Sequence, residues 1–267
     1  LWPVAPETRG RLARLVGAGS RCGAGAVGPD TPAVRRAADR WRLLRRLSRD
    51  GVPVPPTAPA RGPEDATALA RELGGDVVVK PGRGCGGAGV ARARGGDAVV
   101  DAWRRAAELE PFFSPLVQRF VPGAPASVTV LATGTGVRPL ALNRQRIRFS
   151  PEARYLGGVT PFRHPDRSRA EAAAADAVRS AGGMRGLVGV DLVLSGEGPV
   201  VMEVNPRLTT SYLGLRRHLG AEAAAAAVRT AGVCAKTTRR RELTRGVAPP
   251  RVPDGAPPSS FDAAGPA

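Results

Sequence analysis

Two apolar runs, Gly189-Val190-Asp191-Leu192-Val193-Leu194 and Val200-Val201-Met202-Glu203-Val204-Asn205, flank the break Ser195-Gly196-Glu197-Gly198-Pro199. Apolar runs on either side of a glycine-rich break predict a β-hairpin. Side chains alternate faces along a strand, so Glu203 and Asn205 share one face, and Asp191 on the partner strand can sit beside them. Two carboxylates and an amide oxygen are hard donors suited to Mg²⁺, which keeps several waters and also takes phosphate oxygens. Arg207 follows two residues after Asn205 and can offer a forked cation to a phosphate on the same side. Asp191 alone is equally consistent with a solvated strand face. Glu203 and Asn205, however, interrupt an otherwise apolar run, and Pro206 ends the strand directly after them.

The remainder of the chain alternates helical and extended signals. A helix is expected from Glu7 to about Val16, after an extended Leu1–Val4, and a Gly/Ala-rich loop over 17–28 follows. Thr31–Asp50 reads as one helix, with Pro32 in its first turn and Val34, Ala37, Ala38, Trp41, Leu44 and Leu47 at helical spacing. A Pro-rich connector (51–57) leads to a short helix, Glu64–Leu73. Val77-Val78-Val79-Lys80 is a buried strand ending in a cation. The loop after it, Gly82-Arg83-Gly84-Cys85-Gly86-Gly87-Ala88-Gly89, permits positive φ angles and close backbone approach to phosphates. No Gly-Lys-Ser/Thr closes it, so it is not a P-loop, and a flexible hairpin turn is the commoner use of such a segment. A helix over Asp97–Glu110 and strands over Leu116–Val121, Ala126–Ala132, Leu140–Ile147 and Tyr155–Pro161 come next. Asn143 and Gln145 share a strand face, open either to substrate or to solvent at a sheet edge. The Ala-rich Asp166–Gly182 is a long helix and Ala221–Thr230 a closing one. The Arg- and Pro-rich tail from Lys236 has no apolar period and is expected to be disordered.

The 267 residues allow one large or two small domains. No apolar run reaches membrane-spanning length, so no membrane partner is expected. The opening Leu-Trp-Pro-Val lacks a Met, as a chain missing its true start would. Cys22, Cys85 and Cys234 have no paired spacing, which fits a reducing cytoplasm rather than a disulfide framework or zinc site. His164 and His218 read as surface or satisfied core residues rather than bases, and Cys85, with no His near it, is not an obvious nucleophile. The net charge of +17 invites a nucleic-acid reading. The arginines are dispersed and no basic run carries interleaved aromatics for base stacking, so small anions are the expected partners and nucleic acid is not.

In this order, Val-Lys-Pro before a glycine loop (Lys80), the strand Gln118-Arg119-Phe120-Val121, a strand-borne Asp191 and Glu203-Val-Asn205-Pro-Arg207 resemble the ATP-grasp ligases. The resemblance runs from about Thr31 to Leu219. It implies an α/β (α+β) ATP-grasp fold, with two α+β subdomains clasping ATP. Residues 1–30 would be the remnant of a truncated N-terminal α/β pre-domain, 31–235 the ATP-grasp domain and 236–267 the tail. It implies ATP and Mg²⁺ (or Mn²⁺) as cofactors. Lys80, Gly84, Gly86, Gly87 and Gly89 would contact phosphates, Gln118, Arg119, Phe120 and Val121 would form the adenine hinge, and Asp191, Glu203 and Asn205 would hold metal. Lys80 and Arg207 would supply catalytic charge. Asn143, Thr209, Thr210 and Ser211 would face substrate.

Where the family commonly has Asp-Lys this chain has Asp39-Arg40, and where it has Gln-Glu this chain has Gln118-Arg119. Both substitutions leave the roles of Arg40 and Arg119 open. Asn-Pro-Arg-Leu-Thr-Thr-Ser-Tyr-Leu-Gly-Leu, Ala-Pro-Glu-Thr (5–8), Leu-Asn-Arg-Gln and Gly-Gly-Val-Thr-Pro are similar to the tyramine–glutamate ligases of methanofuran biosynthesis. That implies a cytoplasmic carboxylate–amine ligase working on small molecules through an acyl phosphate, with a homodimer as one assembly open to it. An ATP-grasp ligase of another amino acid or peptide, a carboxylase-like enzyme, and a nucleotide-binding module without catalysis remain as alternatives.

Overall fold

The computed structural model describes residues 10–21, 28–221 and 259–260. The expectations for Leu1–Val4, Ala5–Thr8, Cys22, Cys234, residues 222–230 and most of the tail lie outside the described residues. The first described helix, α1 (Arg11–Arg21), buries Leu12, Ala13 and Val16 against Val34. It ends later than the expected Glu7–Val16, whose residues 7–9 lie outside the described residues.

The single helix expected over Thr31–Asp50 is two helices, α2 (Thr31–Ala38) and α3 (Arg40–Arg49). Asp39 breaks them. Its backbone is extended (φ −86°, ψ 90°), and its side chain accepts from the Arg42 N–H at 3.1 Å. An aspartate that caps the next helix satisfies an orphan donor, which the uninterrupted apolar spacing across Asp39 conceals. Asp30 caps α2 in the same way, accepting from the Ala33 N–H at 2.7 Å.

Two antiparallel sheets follow. The first has the order β1-β4-β2-β3, from β1 (Thr57–Pro59), β2 (Asp76–Lys80), β3 (Ala91–Arg94) and β4 (Leu116–Arg119). Helices α4 (Pro63–Glu72) and α5 (Gly96–Leu109) cover it, packing Ala66, Ala70, Val99, Ala102 and Ala106 against Val77, Val79 and Val117. Each of these valines is fully buried, worth roughly 1.5–3 kcal/mol in apolar area.

The second sheet has the order β10-β7-β6-β5-β8-β9. Its strands are β5 (Ala124–Ala132), β6 (Val137–Phe149), β7 (Ala153–Thr160), β8 (Gly186–Ser195), β9 (Gly198–Asn205) and the two-residue β10 (Ser259–Ser260). The central strand β5 is buried on both faces. Ala126, Val128 and Val130 pack with α6 (Arg167–Ala181), whose Ala170, Ala174 and Ala177 lie on the same core. Leu131 lies on the opposite face in a smaller cluster with Leu140, Leu187 and Leu215 of α7 (Ser211–Leu219). Ser127 and Thr129 share the parity of Leu131 and bring hydroxyls to that face.

The glycine loop connects β2 to β3 of the first sheet and packs against the second. Gly86, Gly87 and Gly89 have φ of +67°, +80° and +67°, a conformation other residues adopt only with strain. A Cβ on Gly87 would stand 3.0 Å from the Ala153 carbonyl, and the Ala153 N–H donates to the Val90 carbonyl at 2.7 Å. The loop therefore lies against the start of β7. No helix among the described residues is long and apolar enough to cross a membrane.

Candidate active site

The predicted hairpin is β8–β9, and its register sets Asp191 directly opposite Glu203 and Gly189 opposite Asn205. A register shift between Asp191 and Leu192 disturbs the ladder beside the acid pair. Asp191 Oδ1 accepts from Gln145 Nε2, and its Oδ2 from Asn205 Nδ2, each at 3.0 Å. Burial first, and then the Glu203 charge, push the Asp191 carboxyl up to about 7, against the pull of the Asn205 and Gln145 hydrogen bonds and of Arg207.

Facing carboxylates in a dry place are a site that a dication would relieve, and all the donors are hard oxygens. Among the described residues no cluster of three or more His, Cys, Asp or Glu exists. A metal here would therefore take Asp191, Glu203, the Asn205 amide and oxygens of its own ligands. One detail departs from the expected three-oxygen cluster: Asn205 turns its nitrogen toward Asp191, while its Oδ1 accepts from Arg207 Nη2 at 3.5 Å. A buried carboxylate needs donors for both oxygens, and the amide supplies one.

Lys80 closes β2 inside the protein, only 5% exposed. Its Nζ donates to Gln118 Oε1 at 3.1 Å, and Gln118 Nε2 donates to Thr57 Oγ1 at 2.8 Å. Desolvation, followed by the Arg40 charge, lowers the lysine to about 7, while Glu203 opposes the shift. A buried ammonium held beside an open glycine loop is a natural counterion for phosphate. Gln118 thus serves Lys80 through its side chain.

Next along the strand, Arg119 is exposed, and its N–H is taken by the Pro56 carbonyl at 2.9 Å. Phe120 lies under the Arg92 guanidinium, 3.5 Å from its carbon, edge-on to Phe149, while Val121 is half-buried.

Arg40 is the residue that sequence reasoning placed least well. It is 4% exposed, and its Nε and Nη2 donate to Glu203 Oε2 at 3.2 and 3.1 Å. Its Nη1 donates to the Pro81 carbonyl at 2.9 Å, and its Nη2 also to the Gly84 carbonyl at 3.0 Å. The signals in the sequence were a basic residue directly after Asp39 and its place where the family commonly has Asp-Lys.

A cavity of about 260 Å³ opens beside the acid pair, lined by Asp191, Ser127, Asn143, Gln145, Tyr155, Thr209, Thr210 and Ser211 among others. Asn143 is 2% exposed, and its amide is spent inside the protein. Its Nδ2 donates to the Ser127 carbonyl (3.0 Å) and to Thr129 Oγ1 (3.1 Å), and its Oδ1 accepts from Thr160 Oγ1 (2.9 Å). Thr209 and Ser211 share a 2.7 Å hydrogen bond at the start of α7, and Thr210 Oγ1 lies 3.5 Å from the Tyr155 hydroxyl. Tyr155 was not singled out in the sequence, because a strand Tyr is usually packing. His218 in α7 is half-buried, neither a surface residue nor a satisfied core one as expected: its ring nitrogens are buried with no hydrogen-bond partner among the described residues.

Residues 37–211 match the ATP-grasp domain family. Among curated proteins, tyramine–L-glutamate ligase of Methanocaldococcus jannaschii is 35% identical over 101 residues, 38% of this chain and 32% of that protein. A probable α-L-glutamate ligase of Halorhodospira halophila is 32% identical over 180 residues, covering 66% of this chain and 57% of that one. The chain thus spans between about a third and somewhat over half of these relatives. Among solved structures, biotin carboxylase from Campylobacter jejuni in complex with β,γ-ATP superposes with a TM-score of 0.73 at 19% identity, over 87% of this chain and 53% of the other. An ATP-grasp superfamily protein of Archaeoglobus fulgidus superposes with 0.61 at 28% identity, over 81% and 60%. The two antiparallel sheets, with a strand-end lysine on one and an acid pair on the other, are the α+β ATP-grasp fold, and the chain belongs to the ATP-grasp family.

Proposed function

We propose that the protein is a cytoplasmic ATP-dependent carboxylate–amine ligase that joins L-glutamate to tyramine or a similar small aromatic amine. The observation that carries this reading is the joining of two half-sites. Arg40 bonds Glu203 of the second sheet and the Pro81 carbonyl directly after Lys80 of the first, its charge reaches Lys80, and the hydroxyl-lined cavity reaches Asp191. Similarity to the tyramine–L-glutamate ligases supports the choice of substrates.

In this reading a substrate carboxylate oxygen attacks the γ-phosphorus of ATP. The bond to the bridging oxygen breaks, ADP leaves and an acyl phosphate remains. The amine nitrogen then attacks the acyl carbon, phosphate departs, and the nitrogen sheds a proton as the amide forms. Lys80 and Arg207 offset the phosphate charge, and the glycine loop keeps water from the labile anhydride. A divalent ion, Mg²⁺ or Mn²⁺, held by Asp191, Glu203 and Asn205, would supply electrostatic stabilisation of phosphates. Thr209, Thr210 and Ser211 orient the departing phosphate by hydrogen bonding, and Asn143 holds the cavity wall that positions them. The chain itself thus contributes positioning and charge rather than covalent steps.

The test is to incubate the protein with ATP, Mg²⁺, glutamate and tyramine and to look for ADP and the amide by mass. The expected product is the glutamate–tyramine amide. ADP formed only with another acceptor would refute the tyramine assignment and leave the ligase. No ADP with any pair of carboxylate and amine would refute the ligase reading for this chain.

A further inference from the structure

Arg40 has no role in the chemistry just described, yet it is among the most heavily bonded side chains in the site. A guanidinium has five N–H donors. Four of them are used here: two on Glu203 Oε2, one on the Pro81 carbonyl and one on the Gly84 carbonyl. Its own backbone N–H donates to the Gly82 carbonyl at 3.3 Å. Both bonds to Glu203 fall on a single oxygen, which leaves Oε1 uncommitted to Arg40. The neighbours are built for this placement. A Cβ on Gly84 would stand 3.0 Å from Arg40 Nη1, so a side chain there crowds the guanidinium. Asp39 starts α3 one residue earlier and fixes where Arg40 leaves the helix.

We propose that Arg40 is a positioning residue that ties the root of the glycine loop, residues 81–84, to the metal-facing carboxylate of Glu203. The tie makes metal at β9 and order in the loop one coupled event. By holding Oε2, Arg40 keeps its own donors off Oε1, on the residue that stands opposite Asp191 in the register. By holding the carbonyls of Pro81 and Gly84, it fixes the stem from which Gly86, Gly87 and Gly89 turn. A ligand on Glu203 then stiffens the loop without touching it, and a loop closed on phosphate presents a better oriented carboxylate. Lysine in this place has one point of charge and cannot span a carboxylate and two carbonyls in fixed directions. This inference rests on the assignment of metal to Glu203.

The experiment uses the full chain, wild type, Arg40→Gln and Arg40→Lys, with folding checked by circular dichroism. Mn²⁺ affinity is measured by electron paramagnetic resonance in the presence of ADP, and amide hydrogen exchange of residues 82–90 is followed with and without Mn²⁺. The expected wild-type result is slower loop exchange on adding Mn²⁺. Both variants should bind Mn²⁺ about 10- to 100-fold more weakly. At Mn²⁺ concentrations that saturate them, their loops should exchange as fast as without metal. ADP affinity in EDTA should change by less than about twofold, since the tie acts through Glu203 and not by binding nucleotide.

Wild-type Mn²⁺ affinity retained in either variant overturns the tie, as does metal protection of the loop in Arg40→Gln. A loss of ADP affinity in EDTA equal to the loss of Mn²⁺ affinity also overturns it, making Arg40 a nucleotide ligand. Glu203→Gln separates the two assignments. If it leaves Mn²⁺ affinity unchanged, the metal assignment fails and the tie falls with it. If it weakens Mn²⁺ while Arg40→Gln does not, only the tie fails.

Discussion

Replacing Lys80 with Met should make the protein more stable at neutral pH while removing its activity. Burial and the nearby Arg40 bring the lysine from the ordinary 10.5 to about 7, and the unfolded chain restores 10.5. Between these values the unfolded state holds a proton that the folded state has shed, so stability rises with pH across the window. This is the reverse of a lysine gaining a partner. The linkage removes about 4 kcal/mol at pH 7 and about 2 kcal/mol at pH 9, and fades above pH 10.5. Met keeps the length and the packing but leaves Gln118 Oε1 without its donor, a loss of about 1 kcal/mol. The net gain is about 3 kcal/mol at pH 7 and about 1 kcal/mol at pH 9, large against a total stability of roughly 5–15 kcal/mol. Urea unfolding of both proteins at pH 7, 8, 9 and 10 reads it directly. A Met variant less stable than wild type at pH 7, or a gap that stays flat from pH 7 to 10, refutes the reasoning. Phosphate release should be lost at every pH, because the charge whose burial costs stability is the one that meets the nucleotide.

Three further outcomes are expected. Glu203→Gln should lower ligation by more than about 100-fold with an unchanged circular dichroism spectrum, because Arg40 keeps its two carbonyl partners; most of the wild-type turnover at saturating Mg²⁺ would sink the metal assignment. Asn143→Ala breaks a buried amide network joining β5, β6 and β7 and should cost about 2–4 kcal/mol. A melting temperature within about a degree of wild type would contradict that. Gly189→Ala puts a methyl 2.5 Å from Thr209 Cγ2, so Thr209 must turn away from Ser211. The Michaelis constant for substrate should rise several-fold, and an unchanged constant would show that these hydroxyls do not face it.

Much of the fold was legible because its signals are local. The β8–β9 hairpin follows from apolar runs about a turn, and β2 from three valines ending in Lys80. Asp191 opposite Glu203 follows from the alternation of side chains once the hairpin is granted. The misreading of α2–α3 has a local cause as well. Asp39 sits in a stretch whose apolar spacing continues across it, and spacing carries no information about a φ/ψ break. A capping Asp was the available signal, but mid-helix aspartates are common enough to hide it.

The site residues that resisted reading are those whose partners lie far along the chain. Asn143 looked like a ligand because a polar residue in an apolar strand invites that reading. Its partners Ser127, Thr129 and Thr160 are each unremarkable in sequence, and only the register of β5, β6 and β7 brings them around it. Arg40 is the sharper case, since 163 positions separate it from Glu203. Composition offered many arginines and no reason to prefer this one, and similarity placed it only where the family commonly has Lys, with its role open. What distinguishes Arg40 is geometric: a fork that fits a carboxylate oxygen and two carbonyls at once, next to a glycine that leaves room for it. Charge can be read from a residue type, but the use of four directed N–H bonds exists only after β9, the glycine loop and the start of α3 have met.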